Sequence, residues 1–317
     1  MSFGIDRITD DQLAVLRLQD KATGTTISIL PDHGALLHGF EVPLNEGRFN
    51  IIDNYSSRID LERFLNLSYK GAKLSPFACR IPDGRYSFDE ITYEFANRFQ
   101  DGTAIHGLLF NKPFKLVDQM ADDQMAAVRL RYHYKKDDAG FPFDYVCEVK
   151  YALHPNRALQ VETTVINLSE QFIPMSDGWH PYFRLGGKID QYQMQFRSDS
   201  MLESDEKLIP TGNTVFDDSF LNGATIGNRQ LDTCFQMEQE EGIPCCVVYN
   251  PENQMRLAFY VNARYPYLQI YTPDHRESIA IENLSAAPNS FNNGMGLIRM
   301  APRQSLSFNL WYQLSIG

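Results

Sequence analysis

Three short segments hold side chains that could do chemistry together. The first is Pro76-Phe77-Ala78-Cys79-Arg80-Ile81-Pro82-Asp83-Gly84-Arg85-Tyr86, with Ala104-Ile105-His106-Gly107-Leu108 behind it. Arg80 lies between apolar neighbours and needs a partner there, either a structural ion pair or a ligand. His106, between Ile105 and Gly107, reads equally as a core histidine with its hydrogen bonds satisfied or as a site residue. The second segment is Ser176-Asp177-Gly178-Trp179-His180-Pro181-Tyr182-Phe183. Trp179, Tyr182 and Phe183 crowd the His180 imidazole with flat apolar faces, as in sites that stack a pyranose. The bland alternative is an aromatic cluster at a strand end. The third is Ile279-Ala280-Ile281-Glu282-Asn283-Leu284. A carboxylate between Ile281 and Leu284 is costly to bury alone, so Glu282 is an ion-pair member or a tuned base. Asp232, in Leu231-Asp232-Thr233-Cys234-Phe235, is a further acid among apolar neighbours.

Other chemistries find less support. His33 and His38 are five apart, which suits neither one helix face nor one strand face, and no HExxH or CxxC occurs, so no metal is expected. There is no Gly-rich phosphate loop and no GxSxG elbow. A Ser/His/Asp triad has no fixed spacing and stays open.

The elements that must position these groups read as strands. Ala126, Val128, Leu130, Tyr132 and Tyr134 alternate with Ala127, Arg129, Arg131 and His133, and Tyr145–Leu153, Leu159–Val165, Met255–Val261 and Leu306–Leu314 repeat the period. Such a period of two marks half-buried strands. Turns at His154-Pro155-Asn156-Arg157, Asn250-Pro251-Glu252-Asn253 and Pro82-Asp83-Gly84 are short, which implies antiparallel neighbours. The one good helix signal is Ile59–Leu67, and the polar stretch Ser198–Leu231 reads as a long functional loop. The expectation is an all-β chain, one large antiparallel β-sandwich domain over residues 1–317.

Composition narrows the partners. The 317 residues carry a net charge of −11 and are 43% hydrophobic, which excludes disorder and disfavours nucleic acid or an anionic membrane as partner. No apolar run is long enough to span a bilayer, and the opening residues have no signal-peptide pattern. Five cysteines without CxxC read as reduced thiols, so a cytoplasmic monomer or homodimer acting on an uncharged small molecule is expected.

Taken in order, PFACRIPDGRYSF, AIHGLLFNKPF, GWHPYFRL, IPTG with LDTCF, and IAIENLSAAPNSFN resemble the aldose 1-epimerases, or galactose mutarotases, over nearly the whole chain. The resemblance implies the galactose mutarotase-like supersandwich, a monosaccharide substrate and no cofactor. It implies Glu282 as catalytic base, His180 as catalytic acid, His106 as a second histidine near the reacting centre, and Arg80 and Asp232 as holders of sugar hydroxyls. Trp179 and Tyr182 are the expected stacking aromatics. The chain departs from the family in having Cys79 where Asn is usual before the arginine, HGLLFNKPF where galactose-preferring members read HGG, and Asn283 after the glutamate. These departures bear on which sugar is preferred. The chemistry expected is ring opening by a base at the anomeric hydroxyl and an acid at the ring oxygen, then closure on the other face. Mutual attraction is expected to keep Glu282 and His180 both charged. A phosphosugar 1-epimerase, which would need several cleft cations, and a non-catalytic sugar-binding protein of the same fold are the alternatives.

Overall fold

In the computed structural model, which describes residues 1–45 and 47–317, strand accounts for 51% and helix for 8%, the balance of an all-β protein. Every run of period two listed above is a strand. Ala126–Lys135, Asp144–His154, Ala158–Asn167, Met255–Val261 and Ser305–Ile316 all belong to one nine-stranded antiparallel sheet. Its order runs Lys115–Ala121, Ala126–Lys135, Asp144–His154, Ala158–Asn167, Ser305–Ile316, Met255–Val261, Cys246–Asn250, Gln193–Phe196, Ala224–Thr225. Its apolar residues meet in register: Tyr151 faces Val161, Val161 faces Leu310, and Leu257 faces Leu314. Two further sheets stand against it, a five-stranded meander from Phe3 to Asn50 and an eight-stranded sheet that carries the residues of interest. Aromatics from both sides close the seam. Phe183 meets Phe259 and Tyr312, Tyr151 meets Trp179, and Tyr265 meets Phe308.

The predicted helix forms over Arg58–Ser68. Ser57 caps it by accepting from the Asp60 N–H, and Leu61 and Leu65 are its buried stripe. It stops at Tyr69, which is in the left-handed region and returns its N–H to Leu65. Ile59 and Leu67 on its outer face stay exposed.

One expectation is overturned. The stretch 198–231 is no loop: Ser200–Ser204 and Pro210–Phe216 form a hairpin, and Ala224–Thr225 adds an edge strand to the large sheet. Almost every residue of Pro210–Phe216 is exposed. Apolar alternation arises only where one face of a strand is buried along its length, and in this hairpin only Leu202 and Pro210 are buried, too few to make a pattern. All five cysteines are buried free thiols. No helix among the described residues is long and apolar enough to cross a membrane.

Candidate active site

The candidate residues meet at an open cleft of about 920 Å³ above the eight-stranded sheet, near the upper end for small-molecule pockets. Gly178–His180 is hydrogen-bonded on one side to Ala72–Leu74 and on the other to Ile279–Leu284. The second pairing is close: a Cβ on Gly178 would lie 2.6 Å from the Leu284 Cδ2, so the position needs glycine. Pro181 interrupts the strand, and Tyr182–Phe183 resumes on the same neighbour, Tyr182 opposite Ala280. Gly178 opposite Leu284 and Tyr182 opposite Ala280 together set one register, which puts His180 across from Glu282 as a cross-strand pair. The His180 Nε2 lies 3.3 Å from the Glu282 Oε1. The row continues across the sheet, Glu282 beside Gln269 and Gln269 beside Cys234.

His106 reaches the same point from another strand pair. Ala104–Ile105 runs antiparallel to Arg80–Ile81, and the His106 N–H bonds the Cys79 carbonyl at 3.0 Å. The chain must then turn sharply. Gly107 has φ +79 and its missing Cβ would fall 2.3 Å from the Ser75 carbonyl oxygen. The His106 ring ends 4.8 Å from that of His180, edge to face, and 4.7 Å from that of Tyr69. Tyr182 stacks nearly parallel on His180, 5.1 Å away with 7° between the planes. Arg80, half-buried, has no ion-pair partner among the described residues, so its guanidinium is not spent on a structural salt bridge. Asp232 lies at the mouth and accepts from the Gln269 Nε2 at 2.7 Å.

Of the residues expected from sequence, Arg80, His106, His180, Tyr182, Asp232 and Glu282 line the cleft and Trp179 does not. Successive residues of a strand point to opposite faces, so His180 and Tyr182 take the cleft face and Trp179 and Phe183 the core. Trp179 is buried, packs on Tyr151 and donates from Nε1 to the Thr163 Oγ1 at 3.3 Å. Gln269, Cys234, Lys70 and Tyr271 line the cleft without having been singled out. Gln269, a buried amide between Leu268 and Ile270, was the one of these with a readable signal. Beneath the cleft a buried pair was also missed. Lys73 and Asp177 have fully buried side chains, with Nζ 2.5 Å from Oδ2. Tyr265 donates to the other Asp177 oxygen at 2.7 Å, and the Lys73 ammonium stands 4.8 Å over the Trp179 ring.

The electrostatics run against the expectation that Glu282 and His180 are both charged. Burial, helped by the negative charge of Asp232, pushes the Glu282 carboxyl well above its usual range. Burial pushes His180 down to about 3 and His106 well below its usual value, the latter with further help from His180 and Arg80. Loss of water opposes the attraction across the 3.3 Å contact, so burial favours the uncharged form of each partner, with one proton between them. The Glu282 Oε2 and the Nδ1 atoms of both histidines are buried without a hydrogen-bond partner.

A protein of this class, an antiparallel β-sandwich with a His–Glu pair in an open cleft, is what the geometry defines. Residues 15–313 match the family model described as aldose 1-epimerase, and the chain belongs to that family. Among curated proteins it is similar to YihR of Escherichia coli (strain K12), 25% identical over 256 residues that cover 78% of this chain and 80% of that one. It is also similar to an aldose 1-epimerase of Streptococcus thermophilus, 29% identical over 200 residues, 61% of this chain and 55% of that protein. Among solved structures, a galactose mutarotase-like protein from Clostridium acetobutylicum superposes with a TM-score of 0.88 at 21% identity, covering 100% of this chain and 99% of the other. Galactose 1-epimerase from Lactobacillus acidophilus NCFM follows with a TM-score of 0.81 at 18% identity, covering 99% of both. At such identities the likeness is one of fold.

Proposed function

We propose that this protein interconverts the α and β anomers of a free, uncharged aldose, with one aldose 1-epimerase-like domain over residues 1–317. The observation that carries the reading is the cross-strand pair His180–Glu282, 3.3 Å apart in an open cleft. The two oxygens that must lose and gain a proton, the anomeric hydroxyl and the ring oxygen, sit on one carbon. An acid and a base in direct contact can therefore address both. Moving one proton across the contact turns the uncharged pair into carboxylate and imidazolium without changing its net charge. Bound sugar hydroxyls restore part of the solvation that burial removed and favour that form. Glu282 then takes the proton from the anomeric hydroxyl while the His180 Nε2 delivers one to the ring oxygen. The C1–O5 bond breaks, the aldehyde turns about C1–C2, and the steps reverse on its other face. His106, Arg80 and Asp232 with Gln269 hold hydroxyls, and Tyr182 braces His180 by stacking.

The cleft's charge favours an uncharged substrate. Asp60, Asp101 and Asp232 line it against Lys70 and Arg80, and Lys70 is already paired with Asp53 at 2.9 Å. A phosphate dianion would meet few free cations there. The retained acid and base speak against a binding-only role.

Polarimetry of freshly dissolved α-glucose, α-galactose and other aldoses tests the reading. Glu282→Gln and His180→Asn are each expected to slow mutarotation roughly 10²–10⁴-fold in folded protein. Rates equal to the parent in both variants would refute the assigned roles. A parent that accelerates no aldose would refute the activity.

A further inference from the structure

The expectation of no metal rested on local spacing, and the fold has since assembled a donor set that spacing could not reveal. We infer that His106, His180 and Glu282 form a chelating site for a zinc-like divalent ion, which enters as a competitor of the sugar and not as a resident cofactor. One donor atom from each of the three lies within 4.8 Å of those of the other two, and all three side chains are buried. Two imidazoles and a carboxylate are the ligand type of open zinc sites. Zinc bonds of about 2.0–2.1 Å in a tetrahedron put neighbouring donors about 3.3 Å apart, which is the spacing between the His180 Nε2 and the Glu282 Oε1. The third donor, on His106, lies within 4.8 Å of the other two, and all three residues line the open cleft from which a fourth ligand would come.

A second observation points to a ligand. The Glu282 Oε2 is buried and has no hydrogen-bond partner, beside the atom that already contacts His180. Two features limit the affinity. Neither histidine Nδ1 has an acceptor behind it, whereas tightly held metals normally have their histidines braced in that way. His106 is also fixed at φ +58 on a turn that cannot move freely. The site thus suits a reversible inhibitor. Two imidazole nitrogens among the three donors favour zinc over magnesium or calcium, which take oxygen ligands.

Titration of the intact protein with zinc chloride in a non-coordinating buffer, read by calorimetry and by competition with a chromophoric zinc indicator, tests this without assaying catalysis. One reversibly held zinc per chain is expected, weakened at least tenfold or so in His106→Gln and in Glu282→Gln. His133→Gln, which alters an exposed histidine outside the cleft, should leave it unchanged. Imidazole NMR signals of His106 and His180 in the parent protein should shift on adding zinc, a readout that does not depend on any variant folding. Equal zinc affinity in parent and both cleft variants, or unmoved His106 and His180 signals at millimolar zinc, would overturn the site. Saturating galactose or glucose should weaken zinc binding. Zinc held on these residues but indifferent to every aldose would overturn its role as a competitor and count against the sugar reading on which that role rests.

Discussion

Replacing Lys73 by Met tests how much of the cleft floor depends on one buried charge pair. Lys73 and Asp177 are both removed from water, and Asp177 is further held by the Tyr265 hydroxyl, while the Asp177 N–H donates to the Ser285 Oγ at 2.7 Å. Lys73→Met keeps the length and loses the ammonium, leaving a buried carboxylate without its counter-ion. Breaking a buried pair from one side costs about 3–5 kcal/mol. The loss should depend on pH in a definite direction. Burial already raises Asp177 and Lys73 opposes that rise, so removing Lys73 raises it further. A carboxyl whose folded pKa exceeds its unfolded value contributes stability below the unfolded value and loses it as pH rises towards the folded one. The variant should therefore lose stability relative to the parent as pH rises, and more at about pH 7 than at about pH 5. Urea unfolding of parent and variant at those two pH values, followed by tryptophan fluorescence, measures it. Lys73→Met with Asp177→Asn removes both charges and should recover most of the stability and all of the pH difference. A single variant that loses under 1 kcal/mol or so, with the parent's pH dependence, would refute the account.

Three further outcomes follow from the site. The pH profile of kcat/KM should be a plateau over which the His180–Glu282 pair holds one proton. Its acid limb should fall near the value of about 3 to which burial pushes His180 and its basic limb well above the ordinary glutamate range, with no inflection at the usual histidine value. A half-maximal point between about 6 and 7 that vanishes in His180→Asn would contradict this. Asp232→Ala should weaken aldose binding by about 1–3 kcal/mol, read as a rise in KM, with an almost unchanged melting temperature because Asp232 lies at the mouth. Gly107→Ala should destabilise by roughly 2 kcal/mol or more in urea unfolding and depress kcat by displacing His106, since the added methyl meets the Ser75 carbonyl at a positive φ.

Strands buried on one face were legible because burial writes alternation into them, as in Ala126–Tyr134 and Leu306–Leu314. The hairpin from Ser200 to Phe216 was not, since only Leu202 and Pro210 along it are buried. Among site residues, Glu282 and Arg80 stood out as charges in apolar settings. His180 and Trp179 looked alike as neighbours in an aromatic cluster, and only the strand's face assignment separates the ring in the cleft from the ring in the core. Lys73 gave no local sign, for its partner lies 104 positions away. The direction in which burial pushes the pair was not legible, because sequence shows which charges exist but not how much water each keeps.

The strand Ser305–Ile316 lies between Ala158–Asn167 and Met255–Val261, in the interior of the nine-stranded sheet. That placement matters while the protein is being made. From Asn167 to Ile316 is 149 residues, ~7–30 s of synthesis at ~5–20 residues per second. Throughout that interval the inner edge of Ala158–Asn167 has exposed hydrogen-bonding groups and no partner, and it presents Leu159, Val161 and Val165 beside them. The nascent chain is thus open to mispairing with its neighbours on the same message until its central strand emerges, so slowing or pausing translation within the preceding third should raise the aggregated fraction more than the same pause placed early.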